Sequence, residues 1–393
     1  MTIAASLFDA PAADPALSSL IDAVIDRALA EKRIVGTVVL AAQDGRLVYR
    51  RAAGLADREA ERPVREDTVF LYASLTKPMV TAAALRLVEE GRIALADPVT
   101  KFLPDFRPKL ADGTEPVITI HHLLTHTAGL IYGFTEPAGG PYHRAGVSDG
   151  LDAPGRSFVD NLRRIASAPL AFAPGSAWAY SLALDVLGAA LEVAGGETLP
   201  DVVRSRITGP LGLRDTSFAP PDRARLAAAY ADDEPEPVRM GDHYAVPAPR
   251  PFAGLSFAPG RIFDPASYPS GGAAMAGTAG DFLVFLETLR RGGAPILRPE
   301  TVQAMATSQI SGLAMPGSPG TSFGYGFALV TDPAAAGVPM TAGTWRWGGV
   351  YGNSWFVDPA RRLSVVGLTN TAFEGMNGQF VADLRAAIYA GLD

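Results

Sequence analysis

Cysteine is absent from the 393 residues, which excludes disulfides, thiolate zinc sites, iron–sulfur clusters and a cysteine nucleophile. Histidine is scarce: His121, His122, His126, His143 and His243 are the five present, and none falls in the His-Glu-x-x-His spacing of a zinc protease. No metal and no other cofactor is therefore expected. A basic excess is also missing. The 34 Lys+Arg against 41 Asp+Glu leave a net charge of −7, which argues against nucleic acid as a partner. No uninterrupted apolar run reaches the roughly 18 residues of a membrane span, and residues 1–20 lack the basic start and apolar stretch of a secretory signal. The expectation is a soluble cytoplasmic protein whose partner is a small molecule. What is present, 48% hydrophobic and 19% charged residues, is the composition of a globular chain able to bury a core.

Asp14-Pro15 reads as a helix cap followed by proline at the first helical position. Leu17, Leu20, Ile21, Val24, Ile25 and Ala28 then recur at helical spacing, predicting an amphipathic helix to about Lys32. Two strand-like runs, 37–42 and 47–51, flank Asp44-Gly45, a hairpin signal. The C-terminal end mirrors this with strands predicted at 323–330, 344–350, 354–357 and 363–368 and a closing helix at 380–392. Between these ends, helical stretches at 76–90, 158–168, 182–194 and 279–291 are separated by long loops at 132–154 and 232–269. Long loops in compact domains usually serve a site. The pattern predicts an α+β protein: an antiparallel sheet formed from both chain ends (1–75 with 310–393), flanked by helices, and an inserted mainly helical domain (76–309), with the site at their interface.

Three serines compete as nucleophile. Ser148 and Ser322 each sit in Gly-x-Ser-x-Gly, and Ser74 opens Ser74-Leu75-Thr76-Lys77. A nucleophile elbow needs a strand before its serine and a helix after it. Ser148 instead runs towards Pro154-Gly155, and Ser322 follows a Pro/Gly loop and precedes a strand. Ser74 has the better setting. Serine and lysine three apart on a first helical turn share a face, so Lys77 can reach the Ser74 oxygen. Pro78 fits only near a helix start and fixes that register. The N–H groups of the first turn favour developing negative charge.

Lysine and tyrosine titrate near 10 in water, too high for a base at neutral pH. Burial lowers a lysine, and a neighbouring ammonium stabilises a phenolate. A Ser–Lys–Tyr cluster therefore works without histidine. Tyr180, in Trp178-Ala179-Tyr180-Ser181-Leu182 ahead of a helix, is the best candidate for the third member. The His121–His126 cluster has no carboxylate at ligand spacing and reads as structural histidines that bond the loop.

Ser74-x-x-Lys77, Tyr180 about a hundred residues later, residues 119–130 (TIHHLLTHTAGL), Tyr268-Pro269-Ser270-Gly271-Gly272 and Trp345–Gly352 together resemble the serine β-lactamase and penicillin-binding-protein superfamily over nearly the whole chain. More narrowly they resemble the family VIII carboxylesterases, relatives of class C β-lactamases. The resemblance implies a β-lactamase-like fold in which Ser74 is acylated, Lys77 and Tyr180 act as base and acid, and the backbone N–H groups of Ser74 and Val350 form an oxyanion hole. Trp347, Gly348 and Gly349 would line the site. Tyr132, Phe134, Trp178, Phe252, Phe257 and Tyr351 are further wall candidates. Two departures matter. The family's Tyr-x-Asn is here Tyr180-Ser181-Leu182, and its cationic Lys-Thr-Gly or His-Thr-Gly is here Trp347-Gly348-Gly349. Arg346 should face away from Trp347, because side chains alternate along a strand. The site thus lacks a carboxylate-binding cation beside the reacting group and is expected to take a small to medium carboxylic ester. A β-lactamase, a D-alanyl-D-alanine peptidase-like enzyme, an acyltransferase using the same acyl-enzyme and a catalytically silent binding module are the alternatives.

Overall fold

The computed structural model describes residue 7 and residues 15–220, 222–247 and 254–392. The Asp14 cap of the first helix and the wall candidate Phe252 lie outside them. Helix α1 spans Pro15–Ala30 and buries Leu17, Ile21, Val24, Ile25 and Ala28, the predicted stripe except for Leu20, which lies at its edge and is exposed. Strands β1 (Gly36–Gln43) and β2 (Arg46–Asp57) follow. Asp44 and Gly45 between them take φ of 55° and 78°, the two left-handed positions of the tight turn that suits a right-twisted hairpin. A short β3, Arg62–Pro63, completes this end of the chain.

Four long helices come next: α2 (Thr76–Glu89), α3 (Phe158–Ser167), α4 (Ala183–Gly195) and α5 (Ala279–Arg290). The C-terminal part supplies β4 (Thr321–Phe323), β5 (Ala328–Val330), β6 (Trp345–Gly349), β7 (Asn353–Asp358) and β8 (Leu363–Thr369), then α6 (Gln379–Leu392). All eight strands form one sheet in the order β4-β5-β6-β7-β8-β1-β2-β3, every neighbouring pair antiparallel. The two ends of the chain meet at its centre, where β1 pairs with β8 from Thr37↔Thr369 to Gln43↔Leu363.

Both faces of the sheet are covered, and the strands alternate between two cores. Val38, Leu40, Trp355, Val357, Val366 and Leu368 join a large cluster that continues through α2, α4 and α5. Val39, Ala41, Phe356, Leu363 and Val365 pack instead under α1 and α6. Helix α2 is buried on almost every side, so its first turn is held from all directions.

Two sequence expectations need correction. Residues 323–330 are not one strand: Gly324 N–H donates to Phe327 O at 3.0 Å and reverses the chain, making the β4–β5 hairpin. The stretch 232–269 is not featureless. Tyr244–Val246 pairs with Leu255–Phe257, and Val238–Arg239 pairs with Tyr230–Ala231. The alternation of buried Leu255, half-buried Ser256 and buried Phe257 is too short to stand out among prolines. Among the described residues, no helix is long and apolar enough to cross a membrane.

Candidate active site

Ser74 sits at the junction of a short strand and α2. Phe70–Leu71 pairs with Ala276–Gly277, Ala73 adopts φ of 45°, and the single 3-10 turn Ala73–Leu75 leads straight into the helix. A non-glycine residue with positive φ beside a reactive serine is local strain held by its surroundings. Pro78 falls in the first turn of α2, where its missing N–H costs nothing. One turn on from Ser74, Lys77 is fully buried. Its Nζ donates to Ser74 Oγ at 3.1 Å and to Gly272 O at 2.8 Å, and it lies 4.6 Å from the centre of the Tyr180 ring. An ammonium against aromatic faces and a carbonyl is stabilised without a carboxylate bound to it.

Tyr180 reaches the serine from the extended segment before α4. Its hydroxyl donates to Ser74 Oγ at 2.6 Å. The ring is wedged between His126, Tyr132 and Trp347, with centroid separations of 5.0, 5.1 and 5.2 Å. Trp347 Nε1 donates to the same phenol oxygen at 3.4 Å.

The end of β6 closes the other side. A β-carbon on Gly349 would stand 2.2 Å from Tyr72 O, so only glycine lets this strand press against the Ser74 segment. Asn353 Nδ2 donates to Leu71 O at 2.8 Å and ties β7 to the same segment. Ser74 and Val350 then line one cavity of about 720 Å³, together with Tyr132, Phe134, Tyr180, Trp347 and Gly348. Tyr132 and Phe134 stack at 4.8 Å. Their backbone is pinned by half-buried Asp149, which accepts from Gly133 N–H at 2.8 Å and Phe134 N–H at 3.3 Å. Burial pushes the Asp149 carboxyl up to about 7. Burial likewise lifts Asp185, on α4, to about 6, although the charge of Lys77 opposes the rise.

Four expected wall residues are elsewhere. Trp178 packs on His126 and Phe323 and does not border the cavity, although two residues on Tyr180 does. Tyr351 is buried against Phe257 at 5.1 Å, and both belong to a separate apolar cluster. Gly349 is covered by Tyr72 and does not border the cavity. Conversely, the cavity reaches Arg346 and, from α6 and the turn before it, Met376, Asn377 and Arg385. Arg346 does point away from Trp347, yet it still lines the cavity, which the alternation of side chains could not reveal.

The rival serines are occupied otherwise. Ser148 Oγ donates to Asp152 at 2.5 Å and Ser322 Oγ contacts Ser308 Oγ at 2.6 Å. Neither follows a strand and precedes a helix. The histidines hold the loop: His122 Nδ1 accepts from Thr119 N–H at 3.2 Å, His121 Nδ1 meets Tyr325 OH at 2.9 Å, and His126 Nδ1 meets Ser181 Oγ at 3.1 Å. Burial, with the Lys77 charge, holds His126 well below the usual imidazole range, so it stays neutral. Among the described residues no three His, Cys, Asp or Glu side chains gather as a metal site would need.

Comparison with known proteins adds to this geometry. Residues 21–390 match the family model described as Beta-lactamase. The chain is 54% identical over 376 residues to Esterase EstB of Burkholderia gladioli, covering 95% of each. It is 28% identical to Lovastatin esterase of Penicillium rubens, over 93% of this chain and 95% of that one. Among solved structures, EstCE1, described as a hydrolase with promiscuous acyltransferase activity, superposes with a TM-score of 0.91 at 45% identity, covering 95% of this chain and 98% of the other.

Proposed function

The chain belongs to the beta-lactamase family, and within it we propose a carboxylesterase of the family VIII kind that hydrolyses small to medium carboxylic esters through an acyl-Ser74 intermediate. One observation carries this: Ser74 Oγ receives both the Lys77 ammonium and the Tyr180 hydroxyl, at 3.1 and 2.6 Å, inside an apolar cavity. EstB and the lovastatin esterase, named for ester hydrolysis, support the same reading.

In the first step Ser74 Oγ attacks the ester carbonyl carbon. The Lys77–Tyr180 pair, having lost one proton, takes the serine proton across the short contact to the phenol oxygen. The carbonyl oxygen becomes an oxyanion facing the backbone N–H groups of Ser74 and Val350. Collapse breaks the ester C–O bond, and Tyr180 returns the proton to the leaving alcohol. Water then attacks the acyl-serine by the same proton relay, releasing the acid and restoring Ser74. Trp347 keeps the family's cation position uncharged, so nothing beside the reacting carbonyl pairs with a carboxylate there, and a β-lactam or peptide C-terminus is the poorer fit. Transfer of the acyl group to an alcohol uses the same intermediate, as the description of EstCE1 suggests. The division into residues 1–75 with 310–393 and residues 76–309 belongs to this reading: Ser74 and Val350 fall in one part, Lys77 and Tyr180 in the other.

Intact-protein mass spectrometry after a fluorophosphonate, beside p-nitrophenyl butyrate turnover, tests the reading. Adduct and turnover are expected in wild type, Ser148→Ala and Ser322→Ala, and neither in Ser74→Ala. Loss in either of the other serine variants instead would overturn it.

A further inference from the structure

We propose that Arg346 and Arg385 form an anion subsite at the far end of the cleft, which holds a carboxylate carried by the ester at a distance from its reacting carbonyl. This rests on the esterase reading and specifies its substrate class.

The backbone creates the passage. Strand β5 pairs with β6 only at Leu329↔Trp345 and Ala328↔Arg346, so from Trp347 onward the outer edge of β6 has no strand beside it. The cavity runs round this free edge and touches both faces of the strand: Trp347 and Val350 line one part, Arg346, Met376, Asn377 and Arg385 the other. Arg346 stands on the face of Phe356, which α6 covers, Tyr389 of that helix stacking on Phe356 at 5.9 Å. Arg385 projects from the same helix.

Most well-covered arginines are matched by carboxylates: Arg206 by Glu90 and Glu197, Arg290 by Glu287. Arg261 donates to the carbonyl of Tyr268 and stacks on its ring, its Nε also lacking an acceptor, but it does not border this cavity. Among the described residues Arg346 and Arg385 have no carboxylate partner, and Arg385 Nε is shielded from solvent with no acceptor at all. Burial and the neighbouring Arg346 charge lower Arg385 to about 10, which still leaves it charged at neutral pH. Two like charges side by side and unpaired are costly to bury. A carboxylate between them would accept paired charge-assisted hydrogen bonds. The stretch from Ser74 to the arginines passes Trp347 and Met376, so the connecting chain is apolar. A monoester of a dicarboxylic acid fits, as does an ester of an alcohol with a terminal carboxylate.

The test compares matched esters. On the acyl side the pair is mono-p-nitrophenyl suberate and p-nitrophenyl octanoate; on the alcohol side it is 6-acetoxyhexanoate and hexyl acetate. The quantity read is the ratio of kcat/KM for the anionic ester over the neutral one. In Arg385→Gln and Arg346→Gln that ratio is expected to fall about tenfold or more in one pair, and to be largely kept in Arg385→Lys. The pair that responds tells which side of the ester bears the carboxylate. Ratios equal to wild type in both pairs overturn the subsite. Fluorophosphonate labelling of Ser74 in each variant reports the esterase reading separately. Should wild type fail to label, calorimetry of suberate itself decides: binding that Arg385→Gln abolishes upholds the subsite, and binding indifferent to it or absent overturns it.

Discussion

Trp347 Nε1 and Tyr180 OH are 3.4 Å apart, and the phenol oxygen that accepts from the indole is the one bonded to Ser74. The tryptophan thus contacts the proposed proton relay through a polar atom as well as through its ring. Trp347→Phe keeps a ring against Tyr180 but removes the N–H. A long hydrogen bond to a developing charge is worth about 1 kcal/mol, so kcat should fall about fivefold. Steady-state kinetics on p-nitrophenyl butyrate read it. An unchanged kcat would mean that the indole only packs.

Tyr180→Phe deletes the closest partner of Ser74 Oγ while keeping the ring in its place between His126, Tyr132 and Trp347. Loss of a positioned acid–base group lowers kcat by roughly a hundredfold to ten-thousandfold. KM should move only a few-fold, because the ring stays. A variant with near wild-type kcat would leave Lys77 as the sole base.

Gly349→Ala places a methyl 2.2 Å from Tyr72 O. Either β6 or the Ser74 segment must retreat, at about 1–3 kcal/mol of stability. Because the Val350 N–H moves with the strand, kcat should drop about tenfold or more while the remaining fold persists. Thermal melting and steady-state kinetics on the same sample separate the two effects.

The carboxyl of Asp149, pushed up to about 7 by burial, gives a stability prediction whose sign follows from linkage. The native state keeps a proton that the unfolded chain, with an ordinary carboxylate, has already released. This contribution is therefore fully present below the ordinary carboxyl range and is lost as pH rises through about 7. Asp149→Asn keeps the oxygen that accepts from Gly133 N–H, gives up the longer contact from Phe134 N–H, and cannot ionise. Urea unfolding at about pH 5 and about pH 8 should show a smaller fall in stability for the variant than for wild type. Equal falls would remove Asp149 from the pH response.

Legibility in the sequence tracked the range of the interaction. Ser74 and Lys77 are one helical turn apart, so the spacing alone juxtaposes them. The Tyr180 contact spans 106 residues, and only the resemblance to a known family connected the two motifs. Asp44-Gly45 announced the hairpin that begins the sheet because turn chemistry is local. The walls of the cavity were harder. Trp178 and Trp347 look alike on paper, yet one packs behind the site and the other enters it. Which is which depends on how an extended segment is docked. Arg346 is the sharpest case: side-chain alternation placed it correctly on the far face of β6, but whether the cavity turns that corner depends on how far β5 runs, and no residue pattern states that.

The pairing of β1 with β8 has a consequence for how the protein is made. Translation delivers β1, β2, Ser74 and Lys77 first, then Tyr180, and only at the end Val350 and the β8 residues Leu363–Thr369. Until then one edge of β1, with Val38, Val39 and Leu40, has no neighbour, and such an edge is a template for unwanted association. A nascent or prematurely terminated chain can thus hold the serine, lysine and tyrosine in sequence while lacking Val350 and the strand that pairs with β1. Hydrolytic activity in a cell should arise only after Val350 and the β8 residues have left the ribosome.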